Sequence, residues 1–289
     1  MLAMQKEYPQ VKLGLIQMSC SESPSENLDK TLQKIREAAK QGAQIISTQE
    51  LFPSRYFCQV NDKKFFELAE AVPGPTSDIL AKIAKELGVV IVASLFEKDG
   101  SDYYNTACVL DADGKFLGKY RKVHIPDDPA NFYSELFYFK PGNLGFPIFK
   151  TRFATLGVQV CWDQWYPEGA RSLALQGADI IFYPTAIGWP LAQRTQEIGP
   201  TEYDAWFTIQ RAHAIANTVF VAVTNRTGPE DNLNFWGASF VADPLGRVLS
   251  KASHDQEEIL YADCNFSEIE KVRKDWPFLQ CRRTEEYKL

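Results

Sequence analysis

The stretch Leu156-Gly157-Val158-Gln159-Val160-Cys161-Trp162-Asp163-Gln164-Trp165-Tyr166-Pro167-Glu168 decides how the rest of the chain is read. Leu156 to Val160 is an apolar run broken only by Gln159, which predicts a short buried strand. Pro167 suits the first position of a following helix, where a missing N–H costs nothing. Cys161 therefore falls at a strand-to-helix turn, at the open end of a sheet. Backbone N–H groups near such a turn favour negative charge. The expectation is a thiol inclined to ionise and a place to hold an oxyanion. The plainer reading of one cysteine is a small buried hydrophobe. Its partners must decide.

Working outward, strand and helix signals alternate on both sides of this stretch. Val11 to Met18 reads as a strand, with Leu13, Leu15 and Gln17 on one face and Gly14, Ile16 and Met18 on the other. Ser23-Pro24-Ser25-Glu26 is a capping box opening a helix whose stripe is Leu28, Leu32, Ile35 and Ala39, closed by Gly42. Gln44 to Thr48 is a second strand leading to Glu50. Thr76 opens another helix that Gly88 closes, and Val89 to Leu95 is a third strand. Tyr104 to Leu110 and Lys115 to Tyr120 are joined by an Asp-Gly hairpin turn. Beyond Cys161 come a helix to Gln176, a strand from Asp179 to Tyr183, a helix from Glu202 to Asn217 and a strand from Val219 to Asn225. Shorter strands follow near Gly237 to Val241, Val248 to Ser250 and Glu258 to Ala262. No low-complexity linker or charge block interrupts residues 1–289, so one mixed α/β domain is expected. The segment 266–289 is too polar for a core, and the expectation is that it packs on a partner subunit.

The chain has 289 residues, 45% hydrophobic and 24% charged, with a net charge of −6. No concentrated Lys/Arg stripe is present, which argues against nucleic acid as a partner. No stretch is apolar enough for a membrane span or a signal peptide. The six cysteines are scattered with no C-x-x-C pair, and there are three histidines, so neither a metal site nor a disulfide framework is expected. A reduced, cytoplasmic enzyme fits these features.

Two more polar clusters stand at the ends of strand-like runs, where open α/β sheets place ligands. In Ser47-Thr48-Gln49-Glu50-Leu51-Phe52-Pro53, Glu50 lies between an apolar strand and an apolar turn, a setting that suits a general base. In Lys119-Tyr120-Arg121-Lys122-Val123-His124-Ile125-Pro126, Lys122 could aim its ammonium into the same pocket. A fixed cation there would depress the thiol's pKa and stabilise an oxyanion. Taken singly, Glu50 could cap a turn and Lys122 could belong to a solvated edge. A Cys161–His124 pair is a rival chemistry, but it leaves Glu50 and Lys122 unexplained.

Glu50, Lys122 and Cys161, in this order and with these neighbours, resemble the Glu-Lys-Cys triad of the nitrilase (carbon–nitrogen hydrolase) superfamily. The resemblance runs from Val11 to about Tyr287. It implies an α-β-β-α sandwich of two sheets with helices outside, and subunits that pair into a homo-oligomer. It also implies Cys161 as nucleophile, Glu50 as base and then acid, and Lys122 with the Trp162 backbone N–H as oxyanion support. Glu135, in Ser134-Glu135-Leu136-Phe137-Tyr138, matches a second glutamate that supports the lysine in carbamoyl-hydrolysing members.

The substrate must be read from the rim. Relatives that take carbamoyl amino acids place arginines shortly after the nucleophile, where this chain has Gln164 and Trp165, so the bidentate carboxylate clamp is missing. The segments His124 to Pro129, Cys161 to Glu168, Tyr183 to Trp189 and Trp276 to Arg283 resemble members that act on N-carbamoylputrescine, a small-molecule amine. The implied reaction gives putrescine, carbon dioxide and ammonia, and it needs no metal or organic cofactor. Candidates for the distal ammonium are Asp163, Glu197 and Glu202, with Trp162, Trp189, Tyr56 and Phe132 as walls. Arg194 points the other way, towards an acidic ureido or ω-amide substrate. A third alternative is a non-catalytic relative serving as a binding module.

Overall fold

Alternation in the first strand sets the layers. In β1 (Gln10–Gln17), Val11, Leu13 and Leu15 enter one apolar cluster while Ile16 enters another. The computed structural model describes residues 9–191 and 198–287. β1 lies between β2 (Ile45–Thr48), parallel to it, and β17 (Glu258–Asn265), antiparallel to it. The sheet continues through β3 (Val90–Asp99) and β4 (Asp102–Leu110) to β5 (Phe116–Arg121), in the order β17-β1-β2-β3-β4-β5.

A second sheet of six strands faces the first. It contains β8 (Ile148–Lys150), β9 (Thr155–Val158), β10 (Ile180–Thr185), β12 (Phe220–Asn225), β15 (Phe240–Ala242) and β16 (Val248–Lys251), ordered β16-β15-β12-β10-β9-β8. Leu156, Ile180, Phe182, Phe220 and Ala222 from this sheet join Leu13, Val90 and Val109 from the other in one inter-sheet cluster. The outer face of the first sheet is covered by α1 (Pro24–Lys40) and α2 (Pro75–Leu87) through Ile35, Ala38, Leu80 and Ile83. The outer face of the second is covered by α3 (Pro167–Leu175) and α4 (Ile198–Asn217), with Leu173, Trp206 and Ala214 in contact with it. The four layers are the expected α-β-β-α sandwich. Gly157 matters to this packing, because a Cβ there would meet Leu173 at 2.8 Å and push α3 off the strand that ends at Cys161.

Short strands close the end of the sandwich that carries the polar clusters. β6 (Asp127–Asp128) pairs with β7 (Tyr133–Ser134), and β11 (Gly188–Pro190), β14 (Leu233–Trp236) and β13 (Thr227–Glu230) form a three-stranded sheet. These were not legible in the sequence, since runs such as Thr-Gly-Pro-Glu carry no alternation. Two other expectations also change. The α2 helix is capped at Gly74, not Thr76, with Pro75 in its first turn and the Ser77 hydroxyl accepting from the Gly74 N–H. The segment from residue 266 is not wholly peripheral: Phe266 and Ile269, at the start of α5 (Ser267–Asp275), fill the inter-sheet cluster. Beyond α5 the chain is exposed, with Trp276 at 58%. Among the described residues no helix is long and apolar enough to cross a membrane.

Candidate active site

Parallel strands β2, β9, β10 and β12 all end on one side of the sandwich, and their following residues meet there. Glu50 follows β2 and is tied across the sheets by its N–H to the Thr185 carbonyl, 3.4 Å away at the end of β10. Lys122 follows β5, its N–H donating to the Asn105 carbonyl at 2.8 Å. Glu135 opens a single 3-10 turn after β7. Cys161 follows β9 and starts a 3-10 turn, Cys161–Trp165, that comes before α3.

Glu50, Lys122 and Glu135 are all fully buried. The Lys122 ammonium donates to Glu50 Oε1 at 2.9 Å and to Glu135 Oε2 at 2.6 Å. Burial opposes the charge on Lys122, but the Glu135 and Glu50 carboxylates outweigh it and hold the ammonium well above the usual lysine range. Burial pushes the Glu135 carboxyl up, to about 7, against the pull of Lys122. Glu135 Oε1 accepts from the Tyr56 hydroxyl at 2.7 Å. Glu50 Oε1 accepts a second bond, from Asn105 Nδ2 at 2.7 Å. Glu50 Oε2 is buried and has no hydrogen-bond partner among the described residues. One oxygen of the carboxylate is thus fixed and the other remains open to a proton.

Cys161 departs from the sequence expectation in an informative way. Its φ is +43°, a left-handed conformation that costs a non-glycine residue about 1–2 kcal/mol. That turn swings the side chain away from the strand direction, and Sγ sits 3.9 Å from the Ala186 carbonyl. The expected depression of the thiol pKa is absent. Burial, followed by the Glu50 charge, raises it well above the usual range, and Lys122 does not compensate. A thiol pushed in that direction would need a base beside it to act on a substrate.

Cys161 and Trp162 open into a cleft of about 620 Å³. Trp189 and Glu202 line it as anticipated, together with Trp165, Trp236 and Asp128. Asp128 and Glu202 are its charged side chains among the described residues. Partial burial nudges the Glu202 carboxyl upward, and no cation among the described residues acts on it. Arg194 and Glu197 lie outside the described residues.

Three rim candidates sit elsewhere. Asp163 is fully buried and spent on its own turn: Oδ2 accepts from the Tyr120 hydroxyl at 2.7 Å and the Val160 N–H at 3.1 Å. Its Oδ1 takes the His124 N–H at 2.9 Å and His124 Nδ1 at 2.8 Å, leaving nothing for a substrate ammonium. His124, stacked on Tyr166 at 3.7 Å, braces the loop between the lysine and the cysteine turn. Tyr56 stands behind Glu135 instead of walling the cleft, because its hydroxyl is drawn to that carboxylate. Phe132 turns at φ +66° and packs on the cluster of Leu51, Tyr56 and Tyr138, while its neighbours Asn131 and Tyr133 face the cleft.

The sequence reading passed over Asn105, Asp128, Arg226 and Glu230. Asn105 could have been noticed as a lone amide in an otherwise apolar strand. Arg226 follows Asn225 at the end of β12, a fourth polar strand end beside those of β2, β5 and β9. Its guanidinium is entirely buried and reaches the Glu50 carbonyl at 2.9 Å.

Comparison with known proteins agrees with this geometry. An N-carbamoylputrescine amidase from Oryza sativa subsp. japonica is 43% identical, the match covering 96% of this chain and 94% of the relative. A citrullinase from Francisella tularensis is 39% identical over 96% of each. The crystal structure of a carbon-nitrogen hydrolase from Helicobacter pylori G27 superposes with a TM-score of 0.92 at 42% identity, covering 96% of this chain and 97% of that one. Residues 12–274 match the carbon-nitrogen hydrolase family. The chain belongs to that family, and it is a hydrolase of carbon–nitrogen bonds other than peptide bonds.

Proposed function

We propose that this chain hydrolyses N-carbamoylputrescine to putrescine, carbon dioxide and ammonia. Cys161 attacks the ureido carbon while Glu50 takes the thiol proton. The bond from that carbon to the putrescine nitrogen breaks, Glu50 returns the proton to the leaving amine, and a carbamoyl thioester remains on Cys161. Glu50 then takes a proton from water, whose oxygen attacks the thioester. Carbamate leaves as the thiol is reprotonated, and it decomposes to carbon dioxide and ammonia. Lys122 and the Trp162 backbone N–H hold the oxyanion in both steps. Glu135 keeps the lysine oriented, and each step is carried by side chains of this chain.

The observation that carries the chemistry is the divided Glu50 carboxylate. Asn105 and Lys122 fix Oε1, and the buried Oε2 has no partner among the described residues, as a proton shuttle beside a thiol that burial keeps from ionising requires. The choice of substrate is supported by the cleft, where Asp128 and Glu202 bring negative charge among indole faces that suit an alkylammonium. The name of the 43% identical rice relative points the same way. A second reading has its own support. The Trp165 and Trp236 indole N–H groups have no partner among the described residues, and a ureido acid such as the one named for the Francisella relative would offer them a carboxylate. The exposed chain around Trp276 and Phe278 fits burial against another copy, so we infer a homo-oligomer with residues 1–289 as one domain. A nucleophilic thiol also fits a reducing, cytoplasmic compartment.

The test is ammonia release from N-carbamoylputrescine, N-carbamoyl-β-alanine and citrulline in parallel, with Cys161→Ala as the blank. The expected result is a kcat/KM for the diamine derivative about 100-fold above either acid. A preference for an acid would sink the amine reading and leave the thiol chemistry intact.

A further inference from the structure

We propose that Arg226 and Glu230 form a positioning and charge-balancing pair that sets both catalytic carboxylates from behind. The inference rests on the roles given above to Glu50 and Glu135. The pair is buried in full, and removing two charges from water is an expensive way to gain stability, since well-packed apolar residues often do as well. Its hydrogen bonds give it another purpose. Arg226 NH2 donates to the carbonyls of Glu50 at 2.9 Å and Leu51 at 3.1 Å, and NH1 donates to Ser54 at 2.9 Å. Those carbonyls belong to the turn that delivers Glu50, where Leu51 is held at φ +48°. Without the guanidinium the Glu50 and Ser54 carbonyls would lose their donor, the Leu51 carbonyl would keep only the Ser54 N–H at 3.2 Å, and the strained turn would be free to relax.

The second arm runs through Glu230. Its Oε1 accepts from Arg226 NH1 at 2.8 Å and its Oε2 from the Tyr56 N–H at 2.7 Å. Tyr56 in turn donates its hydroxyl to Glu135 Oε1 at 2.7 Å. One ion pair therefore fixes Glu50 through its main chain and Glu135 through Tyr56.

The charges make a second argument. Glu50, Glu135 and Glu230 are three buried carboxylates, and Lys122 and Arg226 are the two cations bonded among them. Burial dominates the Cys20 and Cys58 thiols, but Arg226 also acts on both, and Lys30 acts on Cys20. As a pair, Arg226 and Glu230 cancel and leave the site with Lys122 between two carboxylates. Removing either member leaves its partner's charge in place, with opposite sign in the two cases.

That difference in sign is the test. Glu230→Gln, Arg226→Gln, Arg226→Lys and Tyr56→Phe would be assayed for kcat and KM against pH with N-carbamoylputrescine. In parallel, alkylation of Cys161 by iodoacetamide would be followed against pH on the peptide that carries it. Glu230→Gln should lower kcat by about 10- to 100-fold with little change in KM, and move the acid limb of both profiles to lower pH. Arg226→Gln should move both limbs to higher pH, and Arg226→Lys should return them towards wild type while kcat stays low. Tyr56→Phe should lower kcat with little shift in the limb. A scaffold role alone would loosen the site without opposite shifts, so limbs that stay put or move together in the two glutamine variants overturn the proposal. If Arg226→Gln does not fold, the isosteric Glu230→Gln decides alone: a downward shift supports the device and any other result overturns it. Alkylation needs no substrate, so an enzyme inert towards N-carbamoylputrescine but showing these shifts would discard the substrate reading and keep the device.

Discussion

The floor of the cleft and its rim are built on opposite plans. On the floor, Glu50, Lys122 and Glu135 are fully buried and bonded to one another, to Asn105 and to Tyr56. On the rim, Asp128 has the Asn131 amide for company, and Glu202 is exposed with no cation among the described residues acting on it. A buried charge network tolerates almost no change, because every lost partner leaves an uncompensated group in a medium that cannot solvate it. A half-solvated rim can gain or lose a charge cheaply. Substrate choice in this chain is therefore expected to be set at the rim and not on the floor.

The comparison breaks first if the floor proves tolerant. Lys122→Met removes the cation that two buried carboxylates share. Turnover should fall by about 1,000-fold or more, since both oxyanion support and the orientation of Glu50 are lost. Stability should fall by about 3–5 kcal/mol, as for a buried pair stripped of one member. Ammonia release and urea midpoints would read the two effects. Substantial activity in this variant would mean that the floor is not the catalytic centre. The rim should respond less and differently. Glu202→Gln and Asp128→Asn should each raise KM for the diamine derivative by roughly tenfold, leave kcat nearly unchanged and weaken its salt dependence. A fall in kcat with unchanged KM would remove the distinction between the two regions.

The floor was the more legible of the two, and the reason is physical. Polar residues at the ends of apolar runs stood out together as Glu50, Lys122 and Cys161, and a mixed α/β domain followed from the alternation of strands and helices around them, while the four-layer sandwich came from resemblance. Glu135 came from resemblance, because a carboxylate in a short loop between aromatic residues carries no periodic signal. The rim was misread where a local pattern met distant partners. Asp163 lies two residues after Cys161 and looks like a rim carboxylate, yet Tyr120 from β5 and His124 from the loop after it absorb both its oxygens. The thiol was misjudged for a related reason. A nearby lysine argues for a thiolate only until burial and a second, closer-acting carboxylate are counted. Arg226 escaped because its three carbonyl partners lie about 175 residues earlier in the chain.

The finest test of the contrast concerns how each region answers to pH. Burial lifts the Glu135 carboxyl from 4.5 to about 7, so the folded protein holds that proton more tightly than the unfolded chain does. Its contribution to stability is then fully present below 4.5 and is lost as pH rises through about 7. Glu135→Gln is permanently neutral and cannot take part in this loss. Unfolding free energies from urea titrations across that interval should therefore fall less steeply for the variant than for the wild type, by about 3 kcal/mol over the whole range. Loss of a Lys122 partner lowers the variant's curve at every pH, so the slope is the quantity to compare. Glu202→Gln should leave the slope nearly as it was, because an exposed carboxylate is solvated in both states. Parallel curves for Glu135→Gln and wild type would mean that Lys122 keeps Glu135 ionised throughout. The floor would then carry one more fixed negative charge, and Arg226 would be the more necessary to balance it.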